Sequence, residues 1–363
     1  MDITRLFRPD LRKLRPYQAV DSPAALAQTA GIPPESIIKL NANENPYGPS
    51  PRVLEALASH RGYHIYPDAR QTACRRALEE YTGIPSDLIM GGVGADELID
   101  LVLRATLEPA DRVISCPPTF GMYSFSTQVN GGTLINIPRD DDFQVAIDKV
   151  KDAVGTMTKA VFLTSPNNPT GNSITEDMVL SLLDSPIMVV IDETYFEFSG
   201  ETFAHLVPEH PNLVVLRTLS KWAGLAGLRI GYGIMAPRLL DLLMDIKQPY
   251  NINAAAEVAL LNSLADLDYL MGNVAAIVEE RERLYARLSS MPGINPLPSS
   301  ANFLLCEIEN GKALPVFREL ARRGIFVRYF NAPRLRDSLR ISVGRPEHTD
   351  ALVSALEEIL GEP

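Results

Sequence analysis

The residues best able to do covalent chemistry cluster at Thr218, Ser220, Lys221 and Arg229, in the run Leu213-Val-Val-Leu-Arg-Thr-Leu-Ser-Lys-Trp-Ala-Gly-Leu-Ala-Gly-Leu-Arg-Ile-Gly-Tyr232. An apolar strand leads into two hydroxyls and a lysine. A glycine-spaced turn follows, and an arginine stands eight residues beyond the lysine. An amine condenses with an aldehyde to a Schiff base, and hydroxyls with a guanidinium suit a phosphate on the same molecule. An isolated Ser-Lys pair reads more simply as a surface lysine in a polar loop, so the assignment needs further groups.

Three other segments supply them. Ile187-Met-Val-Val-Ile-Asp-Glu-Thr-Tyr195 is a strand pattern ending in Asp192, with Tyr195 three residues on. A pyridine ring that acts as an electron sink needs a carboxylate opposite its nitrogen and a donor near its phenolic oxygen. Asp192 and Tyr195 offer both from one turn, although a helix N-cap aspartate beside a packed tyrosine has the same appearance. Ser165-Pro-Asn-Asn-Pro-Thr-Gly171 fixes a rigid turn that would aim Asn168 at the same oxygen. Gly91-Gly-Val-Gly-Ala-Asp-Glu-Leu98 is a strand-to-helix glycine turn whose backbone amides, at Ala95 and Asp96, can receive a phosphate. A dinucleotide-binding crossover is the rival for that turn. The run has no complete Gly-x-Gly-x-x-Gly, and the chain does not open with a strand-helix-strand unit.

These segments need elements to position them. Seven short apolar runs, Leu88–Gly91, Arg112–Cys116, Thr133–Pro138, Ala160–Thr164, Ile187–Ile191, Leu213–Arg217 and Arg229–Met235, alternate with amphipathic helical stretches. Most are nearly continuous in Val, Ile and Leu, as strands covered on both faces should be. The pattern predicts an α/β sheet with helices over it, and ligands gather at strand ends in such sheets. Ahead of it, residues 1–45 read as an arm with one small strand (Ser36 to Leu40), followed by a helix from Arg52 to about Arg61. After residue 250 the pattern predicts a long helical stretch, Ala254 to Ser290. Then come strand 302–309, helix 312–323, strands 324–330 and 338–343, and helix 347–360. We expect a large domain at 46–250, and a small α+β domain built from the arm and residues 251–363.

In this order the four segments closely resemble fold-type I aminotransferases that use pyridoxal 5'-phosphate. Further runs narrow the resemblance to the histidinol-phosphate aminotransferase family. They are Lys39-Leu-Asn-Ala-Asn-Glu-Asn-Pro-Tyr-Gly-Pro-Ser-Pro51, Tyr66-Pro-Asp68, Cys116-Pro-Pro-Thr-Phe-Gly-Met-Tyr123, Gly324-Ile-Phe-Val-Arg328 and Leu339-Arg-Ile-Ser-Val-Gly344. The resemblance spans about Leu14 to Leu360. It implies a large domain with a mostly parallel seven-stranded sheet and a small α+β domain.

It also implies roles. Lys221 would carry the cofactor and shuttle a proton, Asp192 would pair with the ring nitrogen, and Asn168 and Tyr195 would bond the phenolic oxygen. The backbone amides of Ala95 and Asp96, with Thr218, Ser220 and Arg229, would take the phosphate. Phe120, where the family often has tyrosine, would stack on the ring. Tyr66 would reach the phosphate of a neighbouring subunit, which makes a homodimer part of the site. Arg340 resembles the arginine that clamps a carboxylate, and a guanidinium accepts a phosphate as readily. Arg328 would add a second positive charge, and Tyr17 and Asn43 would close the site. The implied reaction exchanges an amino group between L-histidinol phosphate and 2-oxoglutarate. An aromatic or broad-range aminotransferase, or a threonine-phosphate decarboxylase on the same scaffold, would share the cofactor residues. A ligand sensor in a transcription regulator would need a basic helix-turn-helix extension, which the sequence lacks.

Composition bounds the rest. The chain has 363 residues, 46% hydrophobic and 22% charged, as a soluble globular protein does, and its formal charge of −11 argues against nucleic-acid binding. Cys74, Cys116 and Cys306 are far apart, and the five histidines show no ligand spacing, so no metal is expected and a reducing compartment fits. Neither a secretory signal nor a run near 18 apolar residues is visible, which points to the cytoplasm.

Overall fold

The computed structural model describes residues 1–14 and 16–361. Its strands in chain order are β1 (Ile38–Lys39), β2 (Ile89–Gly92), β3 (Arg112–Ser115), β4 (Thr133–Asn136), β5 (Thr158–Thr164), β6 (Met188–Asp192), β7 (Leu213–Thr218), β8 (Gly231–Met235), β9 (Ile294–Pro296), β10 (Phe303–Ile308), β11 (Ile325–Phe326), β12 (Arg328–Tyr329) and β13 (Ser338–Ser342). Seven of them form one sheet in the order β2-β8-β7-β6-β5-β3-β4. Only β8 runs against its neighbours; the other pairings are parallel. Parallel neighbours need crossovers. Helices supply them, among them Met122–Val129 between β3 and β4 and Glu176–Leu183 between β5 and β6.

The continuous apolar runs exist because both faces are covered. Val161, Leu163, Val189, Ile191 and Val215 enter one buried cluster, while their strand neighbours Phe162, Val190, Val214 and Leu216 enter another on the opposite face. The carboxyl ends of β3, β5, β6 and β7 then lie along one edge. That edge carries Pro117–Phe120, Ser165–Asn168, Asp192 and Thr218.

A second sheet, β12-β13-β10-β9, is antiparallel throughout, and β1 pairs in parallel with β11. Its core joins Leu40 of the arm to Leu284, Leu320, Leu339 and Leu352. The helix Leu267–Ser289 bridges the cores: Leu270 and Ile277 pack with the large sheet, Leu284 and Leu288 with the small one.

Four local readings change. The expected helix 254–290 is two helices, Ala254–Leu264 and Leu267–Ser289. The break falls at Asp266, whose carboxylate accepts the Ser50 hydroxyl. The expected strand 324–330 splits at Val327 into β11 and β12, which serve different sheets. The arm holds a helix, Pro23–Ala30, started by the Ser22 side chain and ended by Gly31 at φ +70°. β8 begins at Gly231 rather than Arg229, because Arg229 itself is left-handed, at φ +53°.

Phe162 tests the covering of the sheet. Its side chain is 0% exposed and stacks on Tyr123 with ring centroids 5.1 Å apart. Phe162→Ala is expected to cost about 3–5 kcal/mol in urea unfolding. A loss below about 1 kcal/mol would contradict this packing.

Candidate active site

At the carboxyl edge of the large sheet, where the small sheet and the arm lean over it, lies a cavity of about 1060 Å³. It is lined by Tyr17, Asn43, Ala95, Asp96, Phe120, Asn168, Asp192, Tyr195, Thr218, Ser220, Lys221, Arg229, Arg328 and Arg340. Of the expected site residues only Tyr66 lies elsewhere. It is 77% exposed, stacked on Tyr250 at 4.4 Å between ring centroids.

Lys221 follows β7 and a two-residue turn. Its Nζ donates 3.1 Å to the carbonyl of Ala42, brought in by the arm. Burial is the largest cause that brings the amine's pKa down to about 8. The charges of Arg340 and Arg229 contribute to the same fall, against the opposing pull of Glu44 and Asp96. An amine with that pKa is partly neutral at physiological pH and can act as a nucleophile or a base.

Beside it the chain builds an anion cradle. The helix Gly94–Thr106 points its first turn at the cavity, and its first amides have no partner within the helix. Arg229 reaches across with Nη2 3.1 Å from the Asp96 carboxylate and Nη1 3.4 Å from the Ser220 hydroxyl. The Thr218 and Ser220 hydroxyls are 2.9 Å apart. Burial raises the Asp96 carboxyl's pKa, and Arg229 and then Lys221 pull it back. Two glycines keep the cradle open. A Cβ on Gly94 would stand 2.7 Å from Arg229 Nη2, and one on Gly231 would stand 2.9 Å from the Ala95 nitrogen and 2.7 Å from the Arg217 carbonyl oxygen. Helix amides, two hydroxyls and a guanidinium are the donor set a phosphate monoester requires, so these residues fit the cofactor's phosphate.

Asp192 ends β6 with its carboxylate buried. Oδ1 accepts the Thr194 amide at 3.0 Å and the Thr194 hydroxyl at 2.6 Å, and Oδ2 accepts the Tyr123 hydroxyl at 2.7 Å. Burial raises its pKa and these donors oppose the rise. Tyr195 is buried against Phe303, its pKa pushed up to about 12 by burial, and its hydroxyl accepts from Asn43 Nδ2 at 2.9 Å. Asn43 holds this aim in a left-handed backbone, φ +54°, with its amide and carboxamide oxygen both bonded to Ser342 Oγ at 2.8 Å. Phe120 lies edge-on to Tyr17, centroids 5.9 Å apart.

Arg340 and Arg328 are cross-strand partners on β13 and β12. Arg340 is 6% exposed, and burial lowers its pKa to about 10, which leaves it cationic at neutral pH. It donates to Asn168 Oδ1 and to the Asn41 carbonyl, both at 2.7 Å, while its Nε has no partner among the described residues. Arg328 donates to the Gln18 carbonyl at 2.7 Å. Phe330 lies against both guanidinium groups, at 5.5 Å from Arg328 and 5.7 Å from Arg340. Two cations with apolar backing suit a dianion entering from the arm side.

Sequence reading gave no role to Tyr123, Thr164 or Thr194, which surround Asp192, or to the carbonyls of Gln18, Asn41 and Ala42. Tyr123 closes the Cys116–Tyr123 run, but nothing in that run points to a carboxylate 69 residues away. Backbone carbonyls carry no residue signature at all.

The sheet order and this edge site define the fold-type I architecture of pyridoxal-phosphate enzymes. The chain belongs to the class I and II aminotransferases, whose family model matches residues 35–356. It is 52% identical to the histidinol-phosphate aminotransferase of Roseiflexus castenholzii, over 98% of this chain and 99% of that one. It is 46% identical to the chloroplastic histidinol-phosphate aminotransferase of Nicotiana tabacum, over 96% and 86% of the two chains. The crystal structure of the Sinorhizobium meliloti histidinol-phosphate aminotransferase in complex with pyridoxal-5'-phosphate matches with a TM-score of 0.89 at 28% identity, covering 98% of this chain and 97% of that one.

The depressed amine has a measurable sign. In cofactor-free protein, capture of an aldehyde by Lys221 should speed up as pH rises through about 8 and then level off. Arg340→Met removes a charge that lowers the amine's pKa, so the midpoint should move upward. A midpoint near the ordinary lysine value in the unsubstituted protein would contradict the burial of this amine.

Proposed function

We propose that this protein is a pyridoxal-5'-phosphate aminotransferase that converts L-histidinol phosphate and 2-oxoglutarate to imidazole acetol phosphate and L-glutamate. The observation that carries the reading is the pair Arg328 and Arg340, side by side on one wall of the cavity that holds Lys221. The cofactor supplies a carbonyl that links to amines and a ring that withdraws electrons from the bond being broken.

The protein does the rest. Ala95, Asp96, Thr218, Ser220 and Arg229 hold the phosphate, and Asp192 holds the ring nitrogen in its protonated form. Asn168 and Tyr195 orient the phenolic oxygen, and Phe120 covers the ring face. Lys221 Nζ would hold the cofactor, and the same amine would move a proton from the substrate carbon to the cofactor's carbonyl carbon. Arg340 and Arg328 bind the phosphoester of one substrate and the carboxylate of the other, because a guanidinium bonds either anion in a forked geometry. Tyr17, from the arm, and Asn43 close the site and exclude water.

Tyr66 belongs to this reading through a second copy of the chain. Its exposed ring stacks on Tyr250, which is also exposed, as are Tyr63 and Ile65 just before it in the chain, apolar surface of the kind a homodimer interface covers. From there it would bond the cofactor phosphate of the partner subunit. We assign residues 46–250 as the cofactor-binding domain and the arm with residues 251–363 as the small domain. Three buried, unpaired cysteines favour the reducing cytoplasm, and among the described residues no helix is long and apolar enough to cross a membrane.

Absorbance titration tests the substrate. Histidinol phosphate should bleach the bound cofactor's visible band, and 2-oxoglutarate should restore it. Turnover of phenylalanine faster by orders of magnitude would assign an aromatic aminotransferase instead, and carbon dioxide release without a keto acid would assign a decarboxylase. Arg328→Gln should raise KM for histidinol phosphate by about 10- to 100-fold, the loss of one charge-assisted bond. Mixed dimers of Tyr66→Phe with Lys221→Ala chains test the shared site. Cofactor affinity should recover in half the sites, and no recovery would place Tyr66 outside the partner's site.

A further inference from the structure

Asp192 has almost no free acceptor capacity. Each carboxylate oxygen can take about two hydrogen bonds. Oδ1 is filled by the amide and hydroxyl of Thr194, at 3.0 and 2.6 Å. Oδ2 accepts from Tyr123 at 2.7 Å, which leaves a single direction open on that oxygen. The Tyr123 hydroxyl is also 2.7 Å from Thr164 Oγ1. Since the tyrosine proton is committed to the carboxylate, Thr164 must be the donor in that contact. The proton order therefore runs from Thr164 to Tyr123 to Asp192.

This tyrosine has no freedom to turn away. Its side chain is 0% exposed, stacked on Phe162 with centroids 5.1 Å apart and edge-on to Phe120 at 5.7 Å. It reaches Asp192 from the helix Met122–Val129, so it also ties the end of β6 to the element carrying Phe120's neighbours. The other ionisable groups acting on the carboxylate are Asp96, from the helix after β2, and Tyr195, on the turn after β6. Neither donates a hydrogen bond to it.

We propose that Tyr123 is a positioning residue that sets how strongly Asp192 draws the cofactor's ring proton, through their shared oxygen Oδ2. This rests on the reading of Asp192 as the ring-nitrogen partner. With the donor in place, Asp192 stays a weak base and the proton stays on the ring nitrogen, where it sustains the electron sink. Without it, the carboxylate becomes more basic and the proton moves toward Asp192. A ring with less positive charge withdraws fewer electrons, so the nitrogen joining Lys221 to the cofactor keeps its own proton to higher pH.

The test compares holoenzymes of the unsubstituted chain, Tyr123→Phe, Thr164→Val and Asp192→Asn, following the bound cofactor's visible band against pH together with kcat and KM. Tyr123→Phe should move the spectral midpoint upward, toward that of Asp192→Asn, and lower kcat about ten-fold with little change in KM. Thr164→Val keeps the tyrosine and weakens its donation, so its midpoint should move the same way by less; it serves as the variant if Tyr123→Phe does not fold. A midpoint that stays still or falls in these two, while Asp192→Asn moves, overturns the role of Tyr123 and leaves that of Asp192 intact. If Asp192→Asn also leaves the midpoint in place, the underlying reading fails first.

Discussion

A lysine amine attacks a carbonyl only after losing its proton, and in water at neutral pH almost none of it has done so. The cleft around Lys221 is arranged against that proton. Burial removes the water that would stabilise the ammonium, and the fixed charges of Arg340 and Arg229 repel it. Those arginines also make the cavity an anion site. One physical arrangement, a cleft with surplus positive charge around a largely buried amine, thus prepares the nucleophile and recruits its phosphorylated partners.

Holding such a cleft open requires stiff walls. Arg217 and Thr218 are neighbours on β7 and face opposite sides of the sheet. While Thr218 faces the cradle, Arg217 is buried behind it, its Nε 2.9 Å from the Glu193 carboxylate and its Nη2 2.5 Å from Thr202 Oγ1. Glu193 in turn follows Asp192. This ion pair is 3% and 0% exposed on its two sides, so removing either partner would strand a buried charge. The ends of β6 and β7, which present Asp192 and Thr218, are therefore locked together from behind.

The sequence shows the groups whose chemistry is written within a few residues. Lys221 with its hydroxyls, Asp192 with Tyr195, and the glycine turn before Ala95 each sit in a run whose local pattern already specifies a strand, a turn and a reactive end. The large sheet was legible for a related reason: strands covered on both faces must be continuously apolar. What could not be read depends on distant segments meeting. The contacts of Arg340 with the Asn41 carbonyl and Arg328 with the Gln18 carbonyl join positions about 300 apart, and the acceptors are backbone atoms that any residue would supply. The break at Asp266 depends on Ser50 arriving from another part of the chain. The helix Pro23–Ala30 is short and only two of its residues, Leu26 and Ala27, are buried, so it leaves little periodic signal.

The central claim is that one particular amine carries the cofactor. Reducing the coloured holoenzyme with borohydride and mapping the modified peptide by mass spectrometry tests it most directly. The account requires the phosphopyridoxyl mass on Lys221, in a tryptic peptide that runs uncleaved from Thr218 to Arg229. The same mass on another lysine, or none on the coloured protein, would contradict it.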